Sequence, residues 1–347
     1  MLLFCMPLQF VAMNIGILVY NSEWWRTSLK SRRLSAHDKL LLAAGRARGH
    51  TMKVFRFERC QLFYENGEMK VFYGGNPFPK MDVIIPRPSV CNNVDLELTL
   101  NKHLLLMGMK LVNGYMPVMR AKNKIRMLQI LSHAGIKMPK TVILKRFEYM
   151  DDAIKRVGGF PIIIKTPHGS LGRGVAIVES RRSLLSALDI IWADAQNRSL
   201  LIQEYVKESA GHDIRVFVVN NKVIASMERK SKRGDFRSNI GCGGKGIPVV
   251  LTKEEEKLAL DATRAFSLDL AGVDLLRTKT GPVVMELNAN PGLEGITEAT
   301  GVDVAGKIID FAVLKAKQKS DVSFKSKKSK ASGTTDPSLR EEPNSIV

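Results

Sequence analysis

Cysteine is scarce: among 347 residues only Cys5, Cys60, Cys91 and Cys242 carry a thiol, and no two form a CxxC pair. Such scattering argues against structural zinc and makes a reducing cytosol the simple compartment. Long apolar runs are missing as well. The opening MLLFCMPLQFVAM lacks a basic n-region and an A-x-A-like cleavage site and is too short to span a bilayer, so no membrane partner is expected. Residues 1–12 read as a start-site extension ahead of a strand beginning near Met13, with a cryptic signal sequence as the alternative. Acid is the third shortage. The 34 Asp and Glu face 53 Lys and Arg, and a net charge of +19 favours an anionic partner such as nucleotide, nucleic acid or an acidic protein.

What remains is globular, at 45% hydrophobic and 25% charged, and long enough for two or three subdomains. Periodicity predicts a strand over 14–20, a helix over 32–48 stopped by Gly49, strands over 52–57 and 81–87, a helix over 94–109 and a short strand over 110–114. This alternation implies an open parallel α/β sheet over 13–114. A mixed α+β unit follows over 115–198. It has a helix over 120–135, strands over 140–145, 160–165 and 174–180, and helices over 150–157 and 181–195. A third unit, 199–317, carries strands over 199–206, 213–220 and 222–230, and a helix over 253–266 opened by a Thr252–Glu255 capping box. Two strands joined by TKTG and a helix over 302–316 complete it. The polar, lysine- and serine-rich stretch 318–347 is expected to be a disordered solubilising tail, or alternatively an RNA tether through Lys325, Lys327, Lys328 and Lys330.

Chemistry concentrates in four stretches. In PVVMELNANPGLEG, alternation places Val284, Glu286 and Asn288 on one strand face, and the TKTG hairpin brings Asp274 beside them. Two carboxylates and an amide oxygen suit magnesium or manganese, while the plain alternative is a solvent-facing edge strand. Bare of any cation, the two acids would repel. In IIIKTPHGSLGRGV, Lys165 ends a strand before a loop with Gly169, Gly172 and Gly174; glycines let backbone N–H groups close over phosphates, and a simple hairpin is the alternative. In LLIQEYVKESAGHDIRVFVV, the strand end offers backbone groups to an adenine edge and Asp213 an acceptor for ribose hydroxyls, unless this is an ordinary polar strand end. In MERKSKRGDFRSNIGCGGKG, Arg229, Lys230, Arg237 and Asn239 suit an anionic transition state or a basic surface loop. Trp24 and Trp25 read as packing or partner contacts.

Taken in order, RAKNKIRMLQIL, IIIKTPHGSLGRGV, QEYVKESAGHDIRVFVV, ERKSKRGDFRSN, AGVDLLR and VVMELNANPGLEGI make the chain from Met13 to about Lys317 resemble the ATP-grasp ligases, specifically the RimK family. The resemblance implies an ATP-grasp fold, with a Rossmann-like N-terminal domain and two α+β subdomains gripping ATP. It assigns Lys124 and Lys165 to phosphates, the loop from Gly169 to Gly174 to their closure, Glu204, Tyr205 and Val206 to adenine and Asp213 to ribose. Arg237, Ser238 and Asn239 would line the phosphate and acceptor side, and Asp274, Glu286 and Asn288 would bind two magnesium or manganese ions, with Arg229 at the transferring phosphoryl group. The family's acidic VEGTQGIG is here PHGSLGRG, and its IPRIG is Pro86-Arg87-Pro88-Ser89. The implied activity is an ADP-forming carboxylate–amine ligase adding L-glutamate to a carboxyl terminus, of a small-subunit ribosomal protein first, or of a small molecule or coenzyme second. Family analogy also implies a cytoplasmic homo-oligomer. A non-catalytic RNA- or ribosome-binding protein is the rival from another class.

Overall fold

The computed structural model describes residues 11–20, 34–88, 94–166, 174–192, 199–232 and 244–318. The start-site extension through residue 10, Trp24, Trp25, most of the glycine loop, Arg237–Asn239 and the tail beyond 318 lie outside the described residues.

The first layer is a parallel sheet built from β1 (Asn14–Val19), β2 (Thr51–Arg56) and β6 (Val83–Arg87), in the order β2-β1-β6. β1 and β6 are almost wholly buried, as parallel strands covered on both faces must be. Between β1 and β2 runs α1 (Ala36–Ala47), opened by Ser35, whose hydroxyl accepts from the Asp38 N–H. The span from 57 to 80, for which sequence periodicity suggested nothing, is a separate antiparallel sheet. It consists of β3 (Cys60–Glu65), β4 (Glu68–Tyr73) and β5 (Asn76–Pro77), with Asn66 and Gly67 at positive φ making the turn. Its Val71 and Phe78 pack with Phe55, Leu18 and Ile84 on one face of the parallel sheet, beside α2 (Val94–Leu106). Where a strand over 110–114 was expected, there is only an isolated bridge from Leu111 to Ile84.

The helix expected over 120–135 is two helices, α3 (Tyr115–Ala121) and α4 (Lys124–His133). Asn123 is extended between them, and its side chain accepts from the Ile125 and Arg126 N–H groups at 3.0 Å, an N-cap that restarts the helix at Lys124. A four-stranded antiparallel sheet follows, β7 (Thr141–Leu144), β8 (Ile162–Lys165), β9 (Val175–Val178) and β10 (Leu200–Glu204), ordered β7-β10-β8-β9. Helices α5 (Met150–Val157) and α6 (Arg181–Trp192) cover it around Ile162, Ile164, Leu184 and Ile202.

The third layer is a five-stranded antiparallel sheet of β11 (His212–Val219), β12 (Lys222–Lys230), β13 (Lys245–Pro248), β14 (Leu270–Thr278) and β15 (Gly281–Asn288), ordered β13-β12-β11-β14-β15. α7 (Lys253–Ala265) begins with the expected capping box, both hydrogen bonds of which are present. The short α8 (Glu294–Thr300) precedes α9 (Val304–Lys317). α9 is wedged between the N-terminal sheet and this last sheet: Ile308 and Phe311 share one core with Ile15, Ile85, Phe217 and Met227. The last of the described helices therefore closes the core of the first domain. Asn113 adds a polar clamp at the same seam. Its amide donates to the carbonyls of Leu270 and Ala289 at 2.7 and 2.9 Å, and its oxygen accepts from the N–H groups of Asp269 and Leu270. A buried amide with both ends satisfied fixes its surroundings in a single arrangement.

Candidate active site

Strict alternation along β15 does not hold. Pairing with β14 runs Gly272 to Asn288 and Asp274 to Glu286, then jumps to Leu275 opposite Val284, so Met285 is the extra residue of a bulge. The bulge turns Val284 into the same core as Leu287, three residues on, and leaves Glu286 and Asn288 on the face of Asp274. Expected alternation put Val284 among the polar residues; the bulge removes it from that face.

Three strands contribute to that face in register, since Arg215 on β11 lies opposite Asp274, which lies opposite Glu286. Asp274, 1% exposed, is not a bare acid. Both its oxygens pair with the Arg215 guanidinium, and Arg229 reaches it at 2.9 Å. Burial alone would raise its pKa, but the two arginines outweigh that effect and hold the carboxyl below its usual range. Expected repulsion between two uncompensated acids is thus replaced by compensation from within the protein. Asn288 turns its amide nitrogen toward Asp274 at 3.5 Å.

Arg229 is itself buried and forked onto Asp213, with both hydrogen bonds at 2.6 Å. Burial pulls its pKa down, yet the carboxylates of Asp274 and Asp213 outweigh burial and raise it, so it stays a fixed cation. Asp213 is correspondingly engaged by Arg229 rather than standing open for a ribose, and the Arg229 fork is aimed at two carboxylates rather than outward. Arg215 escaped the sequence reading. The signal was present in Asp213-Ile214-Arg215, where residues two apart on a strand share a face.

Two lysines converge on these acids from other elements. Lys165 ends β8, and Lys124 is the first residue of α4. Removal from water brings the Lys165 pKa down to about 8; the Glu286 and Asp274 carboxylates push it back up and the Lys124 ammonium pushes it down. Lys124 is lowered for the same primary reason and also feels Glu286. Two half-buried amines that sense each other and the same acid have the chemistry to meet a polyanion. The base of the glycine loop is described: the Thr166 N–H donates to the Gly174 carbonyl at 3.0 Å. Gly174 has φ +71°, and its missing Cβ leaves room for the Thr166 hydroxyl. Gly169, Gly172, Arg237, Ser238 and Asn239 lie outside the described residues.

At the end of β10, the Glu204 carboxylate accepts from the Lys140 N–H at 3.1 Å, and Tyr205 and Val206 begin the link to the five-stranded sheet. Among the described residues no three His, Cys, Asp or Glu side chains cluster as a metal site. Among the described residues, Asp274, Glu286 and Asn288 are set in register by β14 and β15 and carry hard oxygen donors of the type magnesium takes, with the Asp274 oxygens already paired to Arg215 and Arg229. A cation fits this set through Glu286, which has neither of the arginines that answer Asp274 and lies opposite it across the strand pair.

This assembly of sheets around paired lysines and acids has relatives. The model of the RimK-like ATP-grasp domain matches residues 121–312, and that of the RimK pre-ATP-grasp domain matches residues 13–114. A probable alpha-L-glutamate ligase of Vibrio atlanticus is 39% identical over 88% of this chain and 97% of its own length. Another of the same name, from Shewanella loihica, is 40% identical over 88% and 97%. Among solved structures, the ATP-grasp ligase PsnB complexed with minimal precursor, Mg and ADP superposes with a TM-score of 0.65 at 17% identity, covering 88% of this chain and 98% of that one. The fold is that of the ATP-grasp enzymes. The chain belongs to the RimK family of ATP-grasp ligases. No helix among the described residues is long and apolar enough to cross a membrane.

Proposed function

We propose that the protein is an ATP-dependent ligase that joins the α-amine of L-glutamate to the carboxyl terminus of a small-subunit ribosomal protein, through an acyl phosphate, in the cytoplasm. The observation that carries this reading is the meeting of Lys124 and Lys165 with Asp274 and Glu286 in one electrostatic neighbourhood. A carboxylate oxygen of the acceptor attacks the γ-phosphorus of ATP, the bond from that phosphorus to the bridging oxygen breaks, and ADP leaves. The glutamate amine then adds to the acyl carbon, loses a proton, and inorganic phosphate departs with the carbon–oxygen bond.

The protein's own part is to bind, align and compensate charge. Lys124 and Lys165 hold the phosphates as point charges. Asp274, Glu286 and Asn288 would hold magnesium or manganese, two ions by family analogy, and such ions supply charge neutralisation at the transferring group. Arg215 and Arg229 keep Asp274 ionised and pointed along the sheet face. The glycine loop, with Gly169, Gly172 and Gly174, serves to cover the phosphates, Arg237–Asn239 to line the acceptor side, and Glu204–Val206 to meet adenine.

Lys165 makes the ATP step pH-dependent. With its pKa near 8 when no nucleotide is bound, it is protonated below that pH, and a bound polyanion stabilises the protonated form. Affinity for a non-hydrolysable ATP analogue should therefore be steady near neutrality and weaken above pH 8, by up to about tenfold per pH unit, until the pKa of the bound state is passed. Lys165→Arg, which does not titrate, should remove the inflection. An inflection that survives in the variant would take Lys165 out of the phosphate site.

Acceptor choice is tested by incubating protein, ATP, magnesium, labelled glutamate and ribosomes. Label at the carboxyl terminus of one small-subunit protein is the expected result. ADP release with no label in any ribosomal protein would move the acceptor to a small molecule. Steeply salt-dependent RNA binding, with no ADP under any mixture, would make the chain a binding protein on an enzyme scaffold.

A further inference from the structure

Arg87 ends β6, which lies on the other side of β1 from β2, so the strand order changes direction between β1 and β6. Ligands of open α/β sheets settle at such a point, beyond the carboxyl ends of the strands. Here that end faces the turn Asn290-Pro291-Gly292, only two residues past Asn288. Arg87 Nη2 donates to the Pro291 carbonyl at 3.3 Å, and the Asn290 amide donates to the Pro88 carbonyl at 2.9 Å. Two reciprocal bonds thus lock the N-terminal sheet's edge to the candidate active site. Gly292 lies against His37, whose ring a side chain at that position would meet at 3.3 Å.

Arg87 is 7% exposed, yet it is poorly satisfied. Among the described residues its Nη1 has no hydrogen-bond partner, and its Nε has only Asp38 Oδ1, at 3.6 Å, beyond hydrogen-bonding distance. Asp38's other oxygen is taken by the Ser35 hydroxyl at 2.6 Å. Beside this orphaned donor is an orphaned acceptor, the buried Oδ1 of Asn290. A buried guanidinium is costly unless it is both paired and hydrogen-bonded, and unsatisfied groups in a native protein call for an explanation. Together the two describe the complement of a zwitterion: a cationic fork for a carboxylate, and a carbonyl oxygen for an amine.

We propose that the carboxyl ends of β1 and β6 form the binding pocket for the incoming amino acid, with the Arg87 guanidinium taking a carboxylate and Asn290 Oδ1 accepting an N–H of the amine. The inference rests on the ligase reading for the reaction that follows, but binding itself does not require it. Once the bound ammonium has lost a proton to solvent, an amine that donates one N–H to Asn290 Oδ1 keeps its nitrogen lone pair free for attack, two residues along the chain from Asn288. Arg87 then selects for an acidic substrate, and Asn290 orients its nucleophile.

Calorimetric titration of glutamate into protein saturated with magnesium and a non-hydrolysable ATP analogue tests the pocket directly. Arg87→Lys keeps a cation for Asp38 but loses the fork, and is expected to weaken glutamate by roughly tenfold to a hundredfold, in line with a lost charge-assisted hydrogen bond, while nucleotide affinity is unchanged. Asn290→Ala should weaken it by about tenfold. The wild type should discriminate against one of the two monoamides of glutamate, and Arg87→Lys should lose that discrimination; a variant that merely loosens the fold would weaken all three ligands alike. Equal glutamate binding in wild type and both variants, or none in the wild type, overturns the pocket. Separately, ADP formation by the wild type reports on the ligase reading, so glutamate held through Arg87 without turnover would retain the pocket and discard the ligase.

Discussion

Glu286→Ala is expected to cut ADP release by about a thousandfold or more while the protein melts close to the wild-type temperature. The reasoning starts from position. Glu286 is half-buried on β15, opposite Asp274, and its charge acts on both Lys124 and Lys165. It has neither of the arginines that compensate Asp274, so its carboxylate is the one placed to be neutralised by a ligand. Losing a ligand of a phosphoryl-transfer ion removes several kcal/mol of transition-state stabilisation, at about 1.4 kcal/mol per factor of ten. The fold loses little, because a half-buried acid facing lysines contributes little to packing. Turnover within a few-fold of wild type would remove Glu286 from the metal site.

Asp274→Ala should behave differently: it is expected to abolish turnover and also to destabilise the protein by about 3–5 kcal/mol. Asp274 is fully buried and answers two guanidiniums, of which Arg215 has no second carboxylate partner among the described residues while Arg229 retains Asp213. Removing the acid leaves Arg215 charged and nearly buried without the carboxylate it is paired to. The Asp274→Asn variant retains an oxygen for one arginine and should fall between. Denaturant unfolding of the three proteins, Glu286→Ala among them, checks the contrast. Equal stability of Asp274→Ala and wild type would show that the buried network does not hold the sheet together.

How much of this was legible beforehand depends on the scale of the signal. Buried strands such as Ile15–Val19 and Ile162–Ile164 announce themselves as apolar runs, and the Thr252–Glu255 box is a local rule obeyed locally. The hairpin of Cys60–Tyr73 escaped because most of β3 is exposed and lacks a clean apolar alternation. Asn123 was readable as an N-cap but sat inside a periodic stretch that favoured one continuous helix. The bulge at Met285 was invisible for a deeper reason: it is a property of the pairing with β14, and one strand read alone has no register. The Asp213, Arg215, Arg229 and Asp274 network likewise needs three strands in place before its charges meet. Individual site residues were therefore nameable from motif order, whereas which acid is compensated, and by whom, belongs to the tertiary structure.

The most direct test of the proposed chemistry follows one oxygen atom. Acceptor labelled with oxygen-18 in its carboxyl group is incubated with protein, ATP, magnesium and glutamate, and the inorganic phosphate released is weighed by mass spectrometry. Phosphate carrying one oxygen-18 per amide bond formed is the expected result, since the carboxylate oxygen leaves bonded to phosphorus. Amide product accompanied by unlabelled phosphate would contradict activation of the acceptor by its phosphorylation.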